Sequence, residues 1–284
     1  MQFRNVFRIY AAENRIFAGR LNSTRSPFAN RRVRHRSGLC LFSLCLLLPG
    51  FTTLSASMGA EQPNSPKIES AVSASRQPSD KLIVIGFLGG KVSAGNLVHR
   101  EAQLIGSLQQ NHPSAIHAAA FANRDGDAAL KTILGLLDHN KDGQLSDQEK
   151  SAARIVIFGH SWGASETITL AGRLNKLEIP VLLTIQVDSV RKQGQNDAMI
   201  PPNVREAANF YQSEGLLRGR STIVADDPAK TKILGNHESS YRENPVSCAG
   251  FPWYARAFMK RHIEIENDPA VWDKIEAMIL AKVL

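Results

Sequence analysis

From Lys81 onward, short apolar runs rich in β-branched residues alternate with stretches whose apolar positions recur every three or four residues. "KLIVIGF" (81–87), "AIHAAAF" (115–121), "RIVIFG" (154–159) and "PVLLTIQVD" (180–188) read as buried strands. Between them, "NLVHREAQLIGSLQQN" (96–111), "DAALKTILGLLD" (127–138) and "ASETITLAGRLNKL" (164–177) read as helices. "IPPNVREAANFYQS" (200–213) is expected to open a further helix after its proline pair. The last helix is expected in "NDPAVWDKIEAMILAKVL", with Asp268 as N-cap, Pro269 in the first turn and Val271, Ile275 and Ile279 on one face. Strands alternating with helices predict an α/β domain with a mostly parallel sheet flanked by helices, over residues 81–284.

The front of the chain follows another pattern. Nine arginines and a single acid, Glu13, fall within residues 1–37. An apolar stretch from about Leu39 to Leu48 comes next, then small residues. That order is expected of a secretory signal peptide over residues 1–57, which implies export to the periplasm, the cell envelope or the medium. The apolar stretch is short of the roughly 20 residues that span a bilayer, so no stable transmembrane segment is expected. Residues 58–80, small, polar and proline-bearing, read as a flexible linker.

Charge changes the picture only through its location. The chain carries 34 basic and 26 acidic side chains, a formal net charge of +8. With the leader set aside, 25 of each sign remain, so the body is neutral and no nucleic-acid partner is expected. A 43% hydrophobic content is ordinary for a soluble globular domain. Of the three cysteines, only Cys248 lies outside the leader, so no internal disulfide is expected; it reads as a small buried apolar residue.

Two motifs carry chemistry. "IVIFGHSWGAS" places Gly159, His160, Ser161, Trp162 and Gly163 between a strand and a helix. A nucleophilic serine on such a sharp turn needs glycine two residues to either side, because a side chain there would strike the strand or helix. The helix that follows aims its N-terminal N–H groups at developing negative charge. The second motif, "DHNKDGQLSDQE" (138–149), fills the twelve-residue EF-hand template. Asp138, Asn140 and Asp142 take positions one, three and five, and Gly143 makes the turn at six. Gln144 offers its carbonyl at seven, Leu145 is the apolar eighth residue, Ser146 the ninth, and Glu149 is the potential bidentate ligand at twelve. A hard cation needs six or more oxygens, and this curl of backbone supplies them, so Ca²⁺ is the expected cofactor. With no second copy of the loop, a structural ion clasping the junction before the serine strand is expected rather than a sensor.

By its serine elbow the chain resembles the α/β-hydrolase superfamily, particularly its small lipases and esterases, over roughly residues 81–284. "VIGFLGG" is similar to the lipase segment in which a strand runs into the oxyanion turn, although Ile85 stands where many lipases carry histidine. The resemblance implies oxyanion donors at the Phe87 and Trp162 backbone N–H groups. It also implies the chain order Ser, Asp or Glu, His. Asp188, at the C-terminal end of the strand after the elbow, is the expected acid, where open parallel sheets collect functional residues; Asp226 and Asp227 in "STIVADDP" are its rivals. The expected base is His262, in a loop before the final helix, with His237 in the turn-like "LGNHESSY" as runner-up. His160 reads as a packing residue. The implied activity is an exported serine hydrolase acting on an ester or acyl-lipid substrate through Ser161, Asp188 and His262. The competing class is a non-catalytic calcium-binding protein on the hydrolase scaffold.

Overall fold

The computed structural model of the chain describes residues 81–283. The signal segment and the linker expected from the sequence lie outside the described residues. The chain runs β1 (Leu82–Leu88), α1 (Arg100–Asn111), β2 (Ile116–Ala122), α2 (Gly126–Leu137), α3 (Asp147–Ser151) and β3 (Ile155–His160). It continues through α4 (Trp162–Lys176), β4 (Val181–Val187), β5 (Met199–Ile200), β6 (Val204–Tyr211), β7 (Val224–Ala225) and β8 (Lys232–Glu238). Three helices close it: α5 (Trp253–Phe258), α6 (Lys260–Asn267) and α7 (Pro269–Leu280). Six strands pair in the order β2-β1-β3-β4-β6-β8, every pairing parallel, and β5 and β7 form a two-stranded sheet of their own.

This is the mostly parallel, helix-flanked sheet that the alternating pattern predicts. Its two faces are covered by different helices. Leu82 and Val84 of β1 and Val156 and Phe158 of β3 pack with Leu104, Ile105 and Leu108 of α1 and Trp272, Ile275 and Ile279 of α7. The alternate residues, Ile83, Ile85 and Phe87 of β1 and Ile155 and Ile157 of β3, pack with Ile133 and Leu137 of α2 and Leu170 and Leu174 of α4. Period-two strands buried on both sides read as continuous apolar runs for this reason. Each such fully buried side chain contributes about 1.5–3 kcal/mol of transfer free energy. α7 starts as expected: the Asp268 side chain accepts from the Ala270 amide, with Pro269 in the first turn.

The strand order sets where a site can form. From β1 the chain crosses to β2 on one side, then returns to β3 on the other. The C-terminal ends of β1 and β3 therefore part around a crevice, the position where open parallel sheets bind ligands. Over that end lies a third cluster, including Leu88, Val92, Phe251, Tyr254, Met259 and Ile263, with Cys248 among it. Cys248 is a free, buried thiol, and burial pushes its pKa up to about 11. Among the described residues no helix is long and apolar enough to cross a membrane.

Three elements differ from the sequence reading. Residues 204–211 form a strand where a helix is expected. Arg205, Glu206, Ala207 and Ala208 are good helix formers, but β6 lies between β4 and β8, and its Ala207, Ala208 and Phe210 are buried. Sheet context outweighs local propensity there. β8 is a second such case: Lys232–Glu238 pairs with β6, so His237 sits in a strand instead of a turn, its ring stacked on Phe210 at 4.9 Å. Lastly, His262 lies on the short helix α6 and not in a loop.

Candidate active site

β3 delivers the serine. Ser161 follows its last residue and precedes the first of α4, with φ 58° and ψ −122°. That backbone region is one non-glycine residues rarely adopt, and it persists only where the surroundings enforce it. Here they do. The Ser161 N–H donates to the Val187 carbonyl at 2.9 Å, and its own carbonyl accepts from Val190 at 3.1 Å. A Cβ on Gly159 would stand 2.5 Å from the Gly163 carbonyl carbon, and one on Gly163 would stand 2.1 Å from the Phe87 carbonyl oxygen. Both glycines are thus required by backbone contact. Ser161 Oγ is buried and has no hydrogen-bond partner.

Asp188 and His262 meet beside it. His262 Nδ1 lies 2.6 Å from Asp188 Oδ2, a short charge-assisted distance between residues that are both buried. Asp188, at φ 43°, directly follows β4. Its carboxylate is held from several sides. Gln212 donates its side-chain amide to Oδ2 at 2.8 Å, and the Gly219 N–H reaches Oδ1 at 2.9 Å. The loop after β4 is tied down further by Arg220, which forms a 2.6 Å ion pair with the buried Asp197, itself bonded to Ser189. Ser161 and His262 line one pocket with Gly89, Gly90, His99, His160, Met259, Ile263 and Glu266. Its free interior, about 20 Å³, holds little more than one water.

The rivals are placed elsewhere. Asp226 is exposed just past β7, Asp227 pairs with Lys230 at 3.4 Å, and His237 belongs to the edge strand β8. Trp162 occupies the first position of α4, with its N–H at the helix N-terminus beside Ser161. Phe87 is not brought to the pocket. β1 runs one residue further than expected, through Leu88, so Phe87 is wholly buried in the sheet between Phe121 of β2 and Gly159 of β3. The turn past the strand begins at Gly89, and Gly89 and Gly90 line the pocket together with the serine. A Cβ on Gly89 would stand 2.9 Å from Ser161 Cβ, and the Gly89 N–H donates to Glu101 Oε1 at 3.2 Å.

A buried polar cluster that sequence reading misses backs the site. Glu266 of α6 accepts from His99 Nδ1 at 2.5 Å, and its other oxygen lies 3.3 Å from His160 Nδ1. Burial opposes the charge on His99, but the Glu266 carboxylate outweighs it and the His99 pKa is raised. The two carboxyls diverge. Burial and the nearby Glu266 push Glu101 above the carboxylate range, whereas His99 and His160 overcome burial and hold Glu266 below it. Burial lowers His160 to about 4. Nothing in "VHREA" or "EIEND" announces this arrangement, because His99 and Glu266 are 167 residues apart.

The loop 138–149 joins α2 to α3 and curls on itself. The Gly143 N–H donates to Asp138 Oδ2 at 3.0 Å, the Asp142 N–H to Asn140 Oδ1 at 3.1 Å and the Gln144 N–H to Asp142 Oδ1 at 2.8 Å. Gly143 takes φ 81° at the turn. Glu149 closes the loop, accepting from His139 N–H on one oxygen and from Ser146 N–H and Oγ on the other. Those bonds, led by the Ser146 amide and hydroxyl, lower its pKa to about 2, so it is ionised at any working pH. Asp138 Oδ1 is buried without a hydrogen-bond partner. An orphaned carboxylate oxygen, two further acids and a side-chain amide on one curl form a donor set that fits a hard cation. Leu145 packs against the core cluster that holds Ile155 and Ile157 of β3.

No protein-family model matches the chain, and a search of curated proteins finds no match. In structure it is similar to the RedJ thioesterase of the prodiginine biosynthetic pathway in Streptomyces coelicolor, with 9% identity, a TM-score of 0.37, and coverage of 72% of this chain and 92% of that one. It is similar as well to a thermostable esterase from Pseudomonas putida, with 11% identity, a TM-score of 0.36, and coverage of 72% and 75%. A third is a YdeN-like hydrolase from Pectobacterium atrosepticum, with 12% identity, a TM-score of 0.35, and coverage of 72% and 92%. The chemistry of the site follows from its own geometry.

Proposed function

We propose that the protein is an exported serine hydrolase of carboxylic esters, with Ser161 as nucleophile, His262 as base and Asp188 as the acid that orients it. The observation that carries this reading is the 2.6 Å contact between His262 Nδ1 and Asp188 Oδ2, at a pocket that His262 shares with a serine on a strained strand-to-helix turn. With Nδ1–H committed to Asp188, the lone pair of Nε2 is the one that takes the Ser161 proton as Oγ attacks the ester carbonyl. The proton then passes to the departing alkoxide, leaving an acyl-serine. A water molecule repeats the sequence: its proton goes to His262, its oxygen attacks the acyl carbon, and Ser161 recovers its proton as the acid leaves. The oxyanion is assigned to the Trp162 amide and, in place of Phe87, the Gly90 amide; losing one such donor costs roughly 10²–10³ in rate.

Export rests on the basic and apolar leader. A calcium ion held by Asp138, Asn140, Asp142, Gln144 and Glu149 completes the reading. It neutralises the acids of the loop and braces the chain that leads into β3, and the acyl transfer itself is the work of the chain's own residues.

Turnover of p-nitrophenyl acetate, butyrate and octanoate, together with labelling by a fluorophosphonate, tests the proposal. The parent is expected to turn over at least one of these esters and to label at one site. Ser161→Ala is expected to lose both signals, with turnover down by roughly 10⁴ or more. A Ser161→Ala protein as active as its parent would refute the nucleophile.

A further inference from the structure

The turn after β1 carries a proposed oxyanion donor, and two buried side chains peg it through its own backbone. Asn123, directly after β2, donates its side-chain amide to the Leu88 carbonyl at 3.1 Å and to the Gly90 carbonyl. Glu101, in the first turn of α1, accepts from the Gly89 N–H on Oε1 at 3.2 Å. Both side chains are buried, Glu101 completely. The turn also lies against the nucleophile. A Cβ on Gly89 would stand 2.9 Å from Ser161 Cβ and 3.1 Å from the His160 carbonyl oxygen.

The amides of this turn are thereby sorted. The pairing of β1 ends at Leu88, so the buried Gly89 N–H lies past the ladder and needs another acceptor. Glu101 supplies it, and an apolar residue at that position would leave the amide unpaired. With the Gly89 N–H committed, the Gly90 N–H is the next amide along, at φ 60°. A carboxylate this close to a forming oxyanion would oppose it. Glu101 avoids that conflict: burial, with Glu266 next, pushes its carboxyl up to about 8, so near neutral pH it accepts the bond uncharged. The ionisable groups beside it are His99, from the turn before α1, and Glu266, from α6, with donor atoms of all three within 4.8 Å of one another.

We propose that Glu101 is a positioning residue for the oxyanion site: by holding the Gly89 N–H, while Asn123 holds the Leu88 and Gly90 carbonyls, it fixes the turn so that the Gly90 N–H meets the oxyanion formed when Ser161 attacks. This rests on Ser161 being the nucleophile. The Gly90 N–H belongs to a peptide unit between two glycines, which gives it more freedom to rotate than any other pair would. Released from Glu101, that unit turns its N–H away from the reacting carbonyl. Misplacement by about 1 Å costs about 10²-fold.

The test sets Glu101→Leu, which removes the acceptor, beside Glu101→Gln, whose amide oxygen can still accept, both in the full protein. Glu101→Leu is expected to slow Ser161 labelling by a fluorophosphonate, and kcat on a p-nitrophenyl ester, by about tenfold or more, with KM little changed. Glu101→Gln is expected to recover at least half of that loss. It is also expected to lack the fall in kcat that the parent shows as pH rises past about 8 and Glu101 ionises. Slowing of less than tenfold in Glu101→Leu, no recovery in Glu101→Gln, or the same alkaline fall in both parent and Glu101→Gln, overturns the proposal. Where Glu101→Leu fails to fold, the amide resonances of the parent decide. The Gly89 N–H is expected to exchange with water more slowly than the Gly90 N–H, and only the Gly90 resonance to move downfield in the phosphonate adduct. Equal exchange, or a shifted Gly89 resonance, overturns the proposal. A parent that never labels at Ser161 refutes the hydrolase reading and this proposal with it, whereas a labelling parent with an equally fast Glu101→Leu refutes this proposal alone.

Discussion

Ser161 keeps its strained backbone because the residues around it leave no alternative. The close contacts of Gly159 and Gly163 are with backbone atoms, which have nowhere to move. Gly163→Ala would place a methyl 2.1 Å from the Phe87 carbonyl oxygen, so helix and strand must separate. The expected loss is about 1–3 kcal/mol, read as a lower urea midpoint, together with loss of Ser161 labelling. Gly172→Ala, on the same helix with no atom within 4 Å of the new methyl, is expected to leave labelling unchanged and to raise the midpoint by the equivalent of about 0.5–1 kcal/mol. The elbow was legible in the sequence because its constraint is local: five consecutive residues state it. Asp188 and His262 were legible through chain order and strand ends. Glu101, His99 and Glu266 were not, since their roles arise only when α1, the turn before it and α6 are packed together. The placement of Phe87 failed over a single residue of strand length.

At the scale of elements, sequence reading found the central strands β1, β3 and β4, whose apolar residues run almost without a break and are buried on both faces, and the partly buried edge strand β2. β6 and β8 escaped it for opposite reasons. β6 is built from alanines and charged residues that favour helices, and β8 is an edge strand whose polar residues carry no clear period. The 138–149 loop was easier to read, because its polar residues sit within one short stretch that the structure places after α2 and running into α3. Its proposed ion predicts a shift in the unfolding curve. Calcium at a hundred times its dissociation constant is expected to add about 2.7 kcal/mol to stability, and chelator to remove it. Glu149→Gln, which gives up a carboxylate oxygen, is expected to abolish most of that gain. Equal melting temperatures in calcium and in chelator would rule out the structural ion.

Over the whole molecule, the parallel order β2-β1-β3-β4-β6-β8 brings distant stretches of chain to one crevice, and the charges buried there affect the stability of the fold as a whole. Glu101 is held in its protonated form, with a folded pKa raised above its ordinary value of 4.5 to about 8. The folded state thus keeps a proton that the unfolded chain releases. This contribution is fully present below pH 4.5 and is lost as pH rises towards about 8. Glu101→Gln, neutral at every pH, is expected to flatten that decline, so the gap in melting temperature between pH 5 and pH 8 narrows. An identical gap in parent and variant would show that Glu101 is not the group concerned. The span between Asp188 and His262 also has a consequence in time. They lie seventy-four positions apart, and α6 follows every strand of the sheet. A ribosome therefore makes the serine long before the histidine that would activate it. On the proposed triad, the chain would carry a nucleophile with no base until α6 emerges and docks, and it would stay inert towards any ester it meets while being made.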